Sequence, residues 1–179
     1  MAATTGGRAK VVGIGSQSHQ GEIQFANILG QMGCSVTWGD DSVTVEGGTL
    51  HGVDVDMNDC PDSVQTLACT ALFAKGRTRV RNVRNLRVKE TDRIAAIAKE
   101  CTKLGARVDE HEDGFTLWPP DRVGSGEIDT YKDHRMAMSF AVAAVAAPWI
   151  QIRDAECVSK SFPGFFEQLE ALGVRMARL

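Results

Sequence analysis

Apolar residues recur along this chain with two alternating periods. Ile94, Ile97, Ala98, Cys101 and Leu104 fall at helical spacing, and Val53–Met57, Thr78–Val83 and Phe115–Trp118 alternate as strands do. Three passages share one form, an apolar-periodic helix that ends in Gly and is followed by an alternating strand. They are centred on Gly33, Gly105 and Gly173, which lie 72 and 68 residues apart. Each Gly suits the left-handed residue just past a helix end.

The middle passage is complete, over 52–119. It reads as strand Val53–Met57, helix Ser63–Lys75, strand Thr78–Val83, a helix opening at the Lys89 run, strand Arg107–Glu110, a turn at Asp113–Gly114 and strand Phe115–Trp118. The first passage, 10–48, begins halfway: strand Lys10–Ile14, helix Glu22–Met32 and a hairpin turning near Asp40–Asp41. The last, 126–179, has strand Glu127–Asp129, helix Arg135–Ala147, strand Ile150–Arg153 and helix Phe165–Leu172, and it stops within the strand after Gly173. A repeat cut at both ends reads as part of something larger.

Met136–Ala147 is apolar or small all round and Val64–Phe73 nearly so, which predicts helices buried on every side. Neither reaches the roughly 18 apolar residues of a membrane span. The predicted fold is α/β, built from repeated strand-helix units in an inside-out, barrel-like arrangement with helices inside and sheets outside. It forms one incomplete domain.

Composition narrows the classes. A chain of 179 residues with 43% hydrophobic and 24% charged residues has the makeup of a globular protein with a real core. Net charge of −3 argues against a nucleic-acid partner. Cys34, Cys60, Cys69, Cys101 and Cys157 are odd in number and lack metal-site spacing, so they read as buried thiols in a reducing, cytoplasmic setting, with no metal expected. The first ten residues carry no apolar leader.

Against that background the run Val88-Lys89-Glu90-Thr91-Asp92-Arg93 stands out. Glu90 and Asp92 suit the positive end of a helix, whereas Lys89 and Arg93 oppose it, and capture of an anion is the reason to place them there. Overlaying the repeats adds Asp62 at the start of one buried helix, Asp133-His134-Arg135 at the start of the other, and Lys160 ahead of the last helix. Repeats of one hand place equivalent ends on one rim. Lys89, Arg93, Arg135 and Lys160 should therefore converge beside Asp62 and Glu90 as a site for phosphate or carboxylate, with the carboxylates available to move protons. Singly, Asp62 and Asp133 also read as helix caps, His134 as a core histidine and Lys160 as a surface lysine.

The stretches Gln20-Gly21-Glu22, Pro61-Asp62, Asn85 to Arg93, Tyr131 to Met138 and Cys157 to Pro163 resemble the C-terminal part of the EPSP synthase (5-enolpyruvylshikimate-3-phosphate synthase) family, over nearly the whole chain. The resemblance implies the shikimate-pathway reaction, in which the 5-hydroxyl of shikimate 3-phosphate adds to C2 of phosphoenolpyruvate, C3 is protonated and phosphate is then lost. It implies no cofactor, glyphosate as inhibitor of the complete site, and a complementary N-terminal part as partner. By the same resemblance Asp62 binds the shikimate hydroxyls and serves as base, and Asn85 and Lys89 hold the shikimate phosphate and ring hydroxyl. Glu90 is the acid near C3, and Arg93, Arg135 and Lys160 clamp phosphoenolpyruvate, with His134 beside them. The family's N-terminal Lys and Arg, its Gly-rich loop and the residues that seat the shikimate ring have no counterpart here, so half a site is expected. Glu22 stands where Asp is expected, away from the chemistry. Two alternatives are an inactive anion-binding domain and the enolpyruvyl transferase acting on UDP-N-acetylglucosamine, which lacks these charged motifs.

Overall fold

The computed structural model describes residues 1–177, so the last two residues of the third expected repeat lie outside the described ones. In it, nine strands form three separate sheets around a set of buried helices. None of the sheets closes on itself.

The first sheet contains β1 (Arg8–Val12), β2 (Ser35–Gly39) and β3 (Ser42–Glu46) in the order β1-β3-β2, all antiparallel. In the second, β4 (Asp54–Asp56), β5 (Thr78–Arg81), β6 (Arg107–His111) and β7 (Gly114–Trp118) run in the order β4-β5-β7-β6. Here β4 is parallel to β5 and the other pairings are antiparallel. The third pairs β8 (Gly126–Ile128) in parallel with β9 (Ile150–Ile152). The order β1-β3-β2 is that of β5-β7-β6, and β8 beside β9 is that of β4 beside β5. Successive strands of one sheet thus reappear in the next.

A parallel pair needs a crossover, and a helix supplies each one. Helix α3 (Val64–Ala71) joins β4 to β5, and α5 (His134–Ala146) joins β8 to β9. Seven of the eight residues of α3 are buried, and Met136, Ala137, Phe140 and Ala143 of α5 join it in the interior. The two helices pack side by side, with Thr66 Oγ1 3.0 Å from Ser139 Oγ between them. Around this pair, α2 (Gln24–Gln31) and α4 (Arg93–Lys103) turn apolar faces toward the sheets, and α6 (Phe165–Ala171) lays Phe165 and Leu169 on Ala137 and Ala141. Helices inside and sheets outside is the expected arrangement.

Several boundaries differ from the sequence reading. The Lys89 run does not open the helix: Arg84–Val88 forms a 3-10 turn, Lys89 is extended, and α4 begins at Arg93. Asp92 sets that start, because its carboxylate accepts from the Ala95 N–H at 3.0 Å and caps the helix. Strand β1 lies two residues earlier than expected, since Gly13 with φ of 90° ends it. Helix α3 is shorter than Ser63–Lys75 and is preceded by a 3-10 turn at Pro61–Ser63. Residues 174–177 form no strand, because nothing among the described residues pairs with them and a strand needs a ladder partner. Helix α1 (Ala2–Thr5), absent from the sequence reading, packs against α5 and β3.

Candidate functional site

Three element starts meet on one side of the α3–α5 pair. The 3-10 turn before α3 brings Asp62, the loop into α4 brings Glu90 and Arg93, and the start of α5 brings Asp133, His134 and Arg135. Lys160 comes from the end of the 3-10 turn Ala155–Lys160 that precedes α6.

Arg93 is the hub. It is 1% exposed, and four of its five N–H donors are engaged. Its Nε donates to Asp133 Oδ2 at 2.8 Å and its Nη1 to Asp62 Oδ1 at 3.1 Å. Its Nη2 donates to Glu90 Oε2 at 2.8 Å and to Asp133 Oδ1 at 3.3 Å. The planar fork thus fixes three carboxylates at once, which an ammonium does not do. The outer oxygens of two of them take a second cation. Asp62 Oδ2 accepts from Arg135 Nη2 at 2.6 Å, and Glu90 Oε1 accepts from Lys160 Nζ at 2.6 Å.

The sequence reading set the cations beside Asp62 and Glu90 without pairing them; here Arg93, Arg135 and Lys160 are each matched by a carboxylate of Asp62, Glu90 or Asp133. Arg93 is committed inward. Arg135, with 36% of its side chain exposed, and Lys160, with 57%, are the cations within reach of a ligand. Arg135 and Asp62 also line a cavity of about 240 Å³ between α3, α5 and α6, together with Thr66, Ser139 and Phe165.

The charges shape the local titration. Glu90 is lowered to about 2, first by the Lys160 hydrogen bond, then by a backbone N–H and by the Arg93 charge. His134 is pushed down from its ordinary value by burial, against the pull of Asp133 and Glu90. It is therefore neutral at pH 7, and its Nδ1 is buried without a hydrogen-bond partner.

Asn85 and Lys89 stand apart from the network. Both are exposed, Asn85 on the 3-10 turn before α4 and Lys89 just after it. Glu22, expected to lie away from the chemistry, instead accepts a hydrogen bond from the hydroxyl of Ser63, next to Asp62. Asp133 is more than the cap it resembles in sequence: it accepts from the Arg135 N–H at 2.9 Å and is 0% exposed against Arg93.

Two further residues support the site from below. Tyr131 and Lys132 both have φ of 56° immediately before Asp133. For residues with a Cβ this costs about 1 kcal/mol or more each, so something outside the turn must hold it. Tyr131 donates its hydroxyl to Glu100 Oε1 at 2.6 Å. Glu100 carries a legible signal, for it falls three residues after Ile97 on the apolar stripe of α4, where a carboxylate needs partners. Among the described residues no cluster of His, Cys, Asp and Glu could hold a metal ion, and no helix is long and apolar enough to cross a membrane.

A family model described as EPSP synthase (3-phosphoshikimate 1-carboxyvinyltransferase) matches residues 1–169. The 3-phosphoshikimate 1-carboxyvinyltransferase of Aliivibrio salmonicida is 51% identical over 173 residues, covering 97% of this chain and 40% of that protein. The enzyme of the same name from Photorhabdus laumondii is 51% identical over 174 residues, covering 97% and 41%. Among solved structures, an EPSP synthase from Acinetobacter baumannii superposes with a TM-score of 0.81 at 27% identity, over 95% of this chain and 43% of that one. The enolpyruvyl transferase NikO from Streptomyces tendae shares the fold, with a TM-score of 0.68 at 21% identity over 94% of this chain and 39% of its own. The chain therefore spans about two-fifths of the length of the curated relatives it matches. With half its residues identical to enzymes of that name and its fold superposing on theirs, the chain belongs to the EPSP synthase family.

Proposed function

We propose that this chain forms the C-terminal side of an EPSP synthase site, which transfers the enolpyruvyl group of phosphoenolpyruvate to the 5-hydroxyl of shikimate 3-phosphate. The observation that carries the reading is the shared carboxylate: Asp62 lies between Arg93 and Arg135, at 3.1 and 2.6 Å. A base so held is fixed in place, and an anionic ligand that draws Arg135 away would free its outer oxygen to accept a proton.

The remaining roles follow from position. Arg135 and Lys160, the exposed cations of the ion-pair network, take the carboxylate and phosphate of phosphoenolpyruvate, while Arg93 orders the carboxylates from behind. With Lys160 on its carboxylate, Glu90 is ionised at neutral pH. It serves as the acid for C3 only after taking up a proton, and the departure of Lys160 onto the phosphate eases that uptake by removing the largest cause of its low value. Asn85 and Lys89, both solvent-facing, take the shikimate phosphate and ring hydroxyl across the cleft. His134, neutral beside Arg135, completes the wall. Fixed cations around the charged tetrahedral intermediate stabilise it without reorganisation. Glyphosate, itself an anion, inhibits by occupying the same clamp. Five free thiols suit a cytoplasmic setting.

The test mixes this chain with a separately produced N-terminal part of an EPSP synthase and follows phosphate release from phosphoenolpyruvate and shikimate 3-phosphate. Turnover is expected in the mixture and in neither part alone, since positioning by two walls accounts for roughly 7 to 11 kcal/mol of such barriers. A folded, associated pair without turnover overturns the reading.

A further inference from the structure

Helix α4 holds the segment that leads into the site at two points. At its first residue, Arg93 grips Asp133. Seven residues on, Glu100 is 0% exposed and binds the same segment further upstream. Tyr131 donates its hydroxyl to Oε1 at 2.6 Å, and the Asp129 N–H donates to Oε2 at 3.1 Å. The third partner is Lys103, whose Nζ lies 2.6 Å from Oε2 and also reaches the Asp129 carboxylate at 3.0 Å.

Positions seven apart on a helix share a face and lie about 10 Å apart along the axis. The Asp129–Asp133 segment is thus strapped along α4, fastened at both ends. Between the fastenings lie the two left-handed residues, with the Asp133 N–H closing the turn onto Thr130 O at 2.9 Å. Without the upstream fastening, Tyr131 and Lys132 would relax to ordinary backbone angles. Asp133 and the start of α5 would shift with them.

We infer that Glu100 is a positioning residue: by holding Tyr131 and Asp129 it fixes the left-handed turn that delivers Asp133 to Arg93 and sets Arg135 at the start of α5. The meaning of Arg135 as an anion clamp rests on the proposed function; the strap itself does not. No site residue touches Glu100 directly, so its influence passes through the turn.

The experiment uses Tyr131→Phe and Glu100→Gln in the full chain. First, Tyr131 is the single tyrosine of the protein, so phenolate absorbance reports on it alone. Its surroundings are Glu100, Asp129 and Lys99, whose Nζ lies 5.7 Å from the ring centre. Its ionisation is expected above the ordinary value in the wild type, first by burial and then by the Glu100 bond and charge, and lower in Glu100→Gln than in the wild type, because the variant keeps the burial and loses the charge. Second, hydrogen exchange of the buried Arg93 Nε–H reads the far fastening. It should quicken about tenfold in both variants, the size of one hydrogen bond to a charged group. Third, inorganic phosphate titrated against the Arg135 amide should bind more weakly in both. Wild-type Arg93 exchange in a folded Tyr131→Phe overturns the inference, and that variant decides the matter if Glu100→Gln fails to fold. A wild type that binds no phosphate overturns the clamp reading instead, and the exchange rates still decide the role of Glu100.

Discussion

Lys160 Nζ lies 2.6 Å from Glu90 Oε1, tying the segment ahead of α6 to the loop ahead of α4. The other oxygen of Glu90 belongs to Arg93, which is buried, whereas Lys160 is more than half exposed. One cation is fixed and the other is free to leave. Because the Lys160 bond is the largest cause that lowers Glu90 to about 2, Lys160→Ala should raise the Glu90 midpoint toward the ordinary carboxylate range. The folded value lies below the unfolded one, so the stabilisation is present above about pH 4.3 and is lost as pH falls from there through about 2. Exposure of Lys160 keeps it under about 1 kcal/mol. Carboxyl NMR of the two proteins measures the midpoint, and an unchanged midpoint would mean the bond does not exist in solution.

Arg93→Ala should be costly in a different way. Asp133 is fully buried, and losing its guanidinium partner leaves a charge with a single backbone donor. Breaking one side of a buried pair costs roughly 3 to 5 kcal/mol, which in a chain of this size lowers the melting temperature by on the order of 10 °C. Adding Asp133→Asn should recover part of the loss, since the second change removes the stranded charge. Thermal melts followed by circular dichroism compare the three proteins. Equal melting of Arg93→Ala and wild type would rule out the buried hub.

The hub also marks where the sequence stopped being legible. The periods of two and 3.6 gave the elements, and the glycines at 33, 105 and 173, all with positive φ, gave the helix ends. Asp62, Glu90, Arg93, Arg135 and Lys160 could be brought together on paper because equivalent element ends share a rim. Their pairing could not. Whether a converging cation faces a ligand or a carboxylate depends on side-chain reach of an ångström or two, and no periodicity carries that. The helix start was misplaced for a related reason: the Lys89 run and Asp92 compete for it, and the capping carboxylate wins.

Among the described residues strand β1 presents a free edge, since the order of its sheet is β1-β3-β2. Val11 and Val12 on it are 49% and 69% exposed. An unpaired edge with apolar side chains is a template for another strand, so the chain should self-associate with rising concentration. Val12→Lys should weaken that association, as edge lysines do. Sedimentation velocity over a hundredfold concentration range checks it, and a wild type that stays monomeric throughout removes the edge from consideration.

Anion binding tests the charge balance most directly. A unit charge about 4 Å from an anion contributes on the order of 4 kcal/mol at an effective dielectric near 20. Three cations would therefore bind phosphate well if they were free, but each is matched by a carboxylate. The expected affinity of the wild-type chain for phosphate or phosphoenolpyruvate is only about millimolar, and weaker with added salt. Arg135→Ala should lose more of it than Arg135→Lys, which keeps the charge and gives up the fork. Asp62→Asn should act in the opposite direction, since Asp62 Oδ2 occupies the Arg135 guanidinium at 2.6 Å and an amide neither carries the charge nor holds it as tightly. Glu90→Gln should likewise tighten binding, by releasing Lys160. Titrations at low salt should thus rank Asp62→Asn above wild type, wild type above Arg135→Lys, and Arg135→Lys above Arg135→Ala. In the mixture with an N-terminal part, Asp62→Asn should nevertheless lose turnover, because under the proposed function the residue that competes with the ligand for Arg135 is also the base. If Asp62→Asn binds phosphate more weakly than the wild type, Asp62 serves to aim Arg135 and not to neutralise it, and the charge-balance account fails.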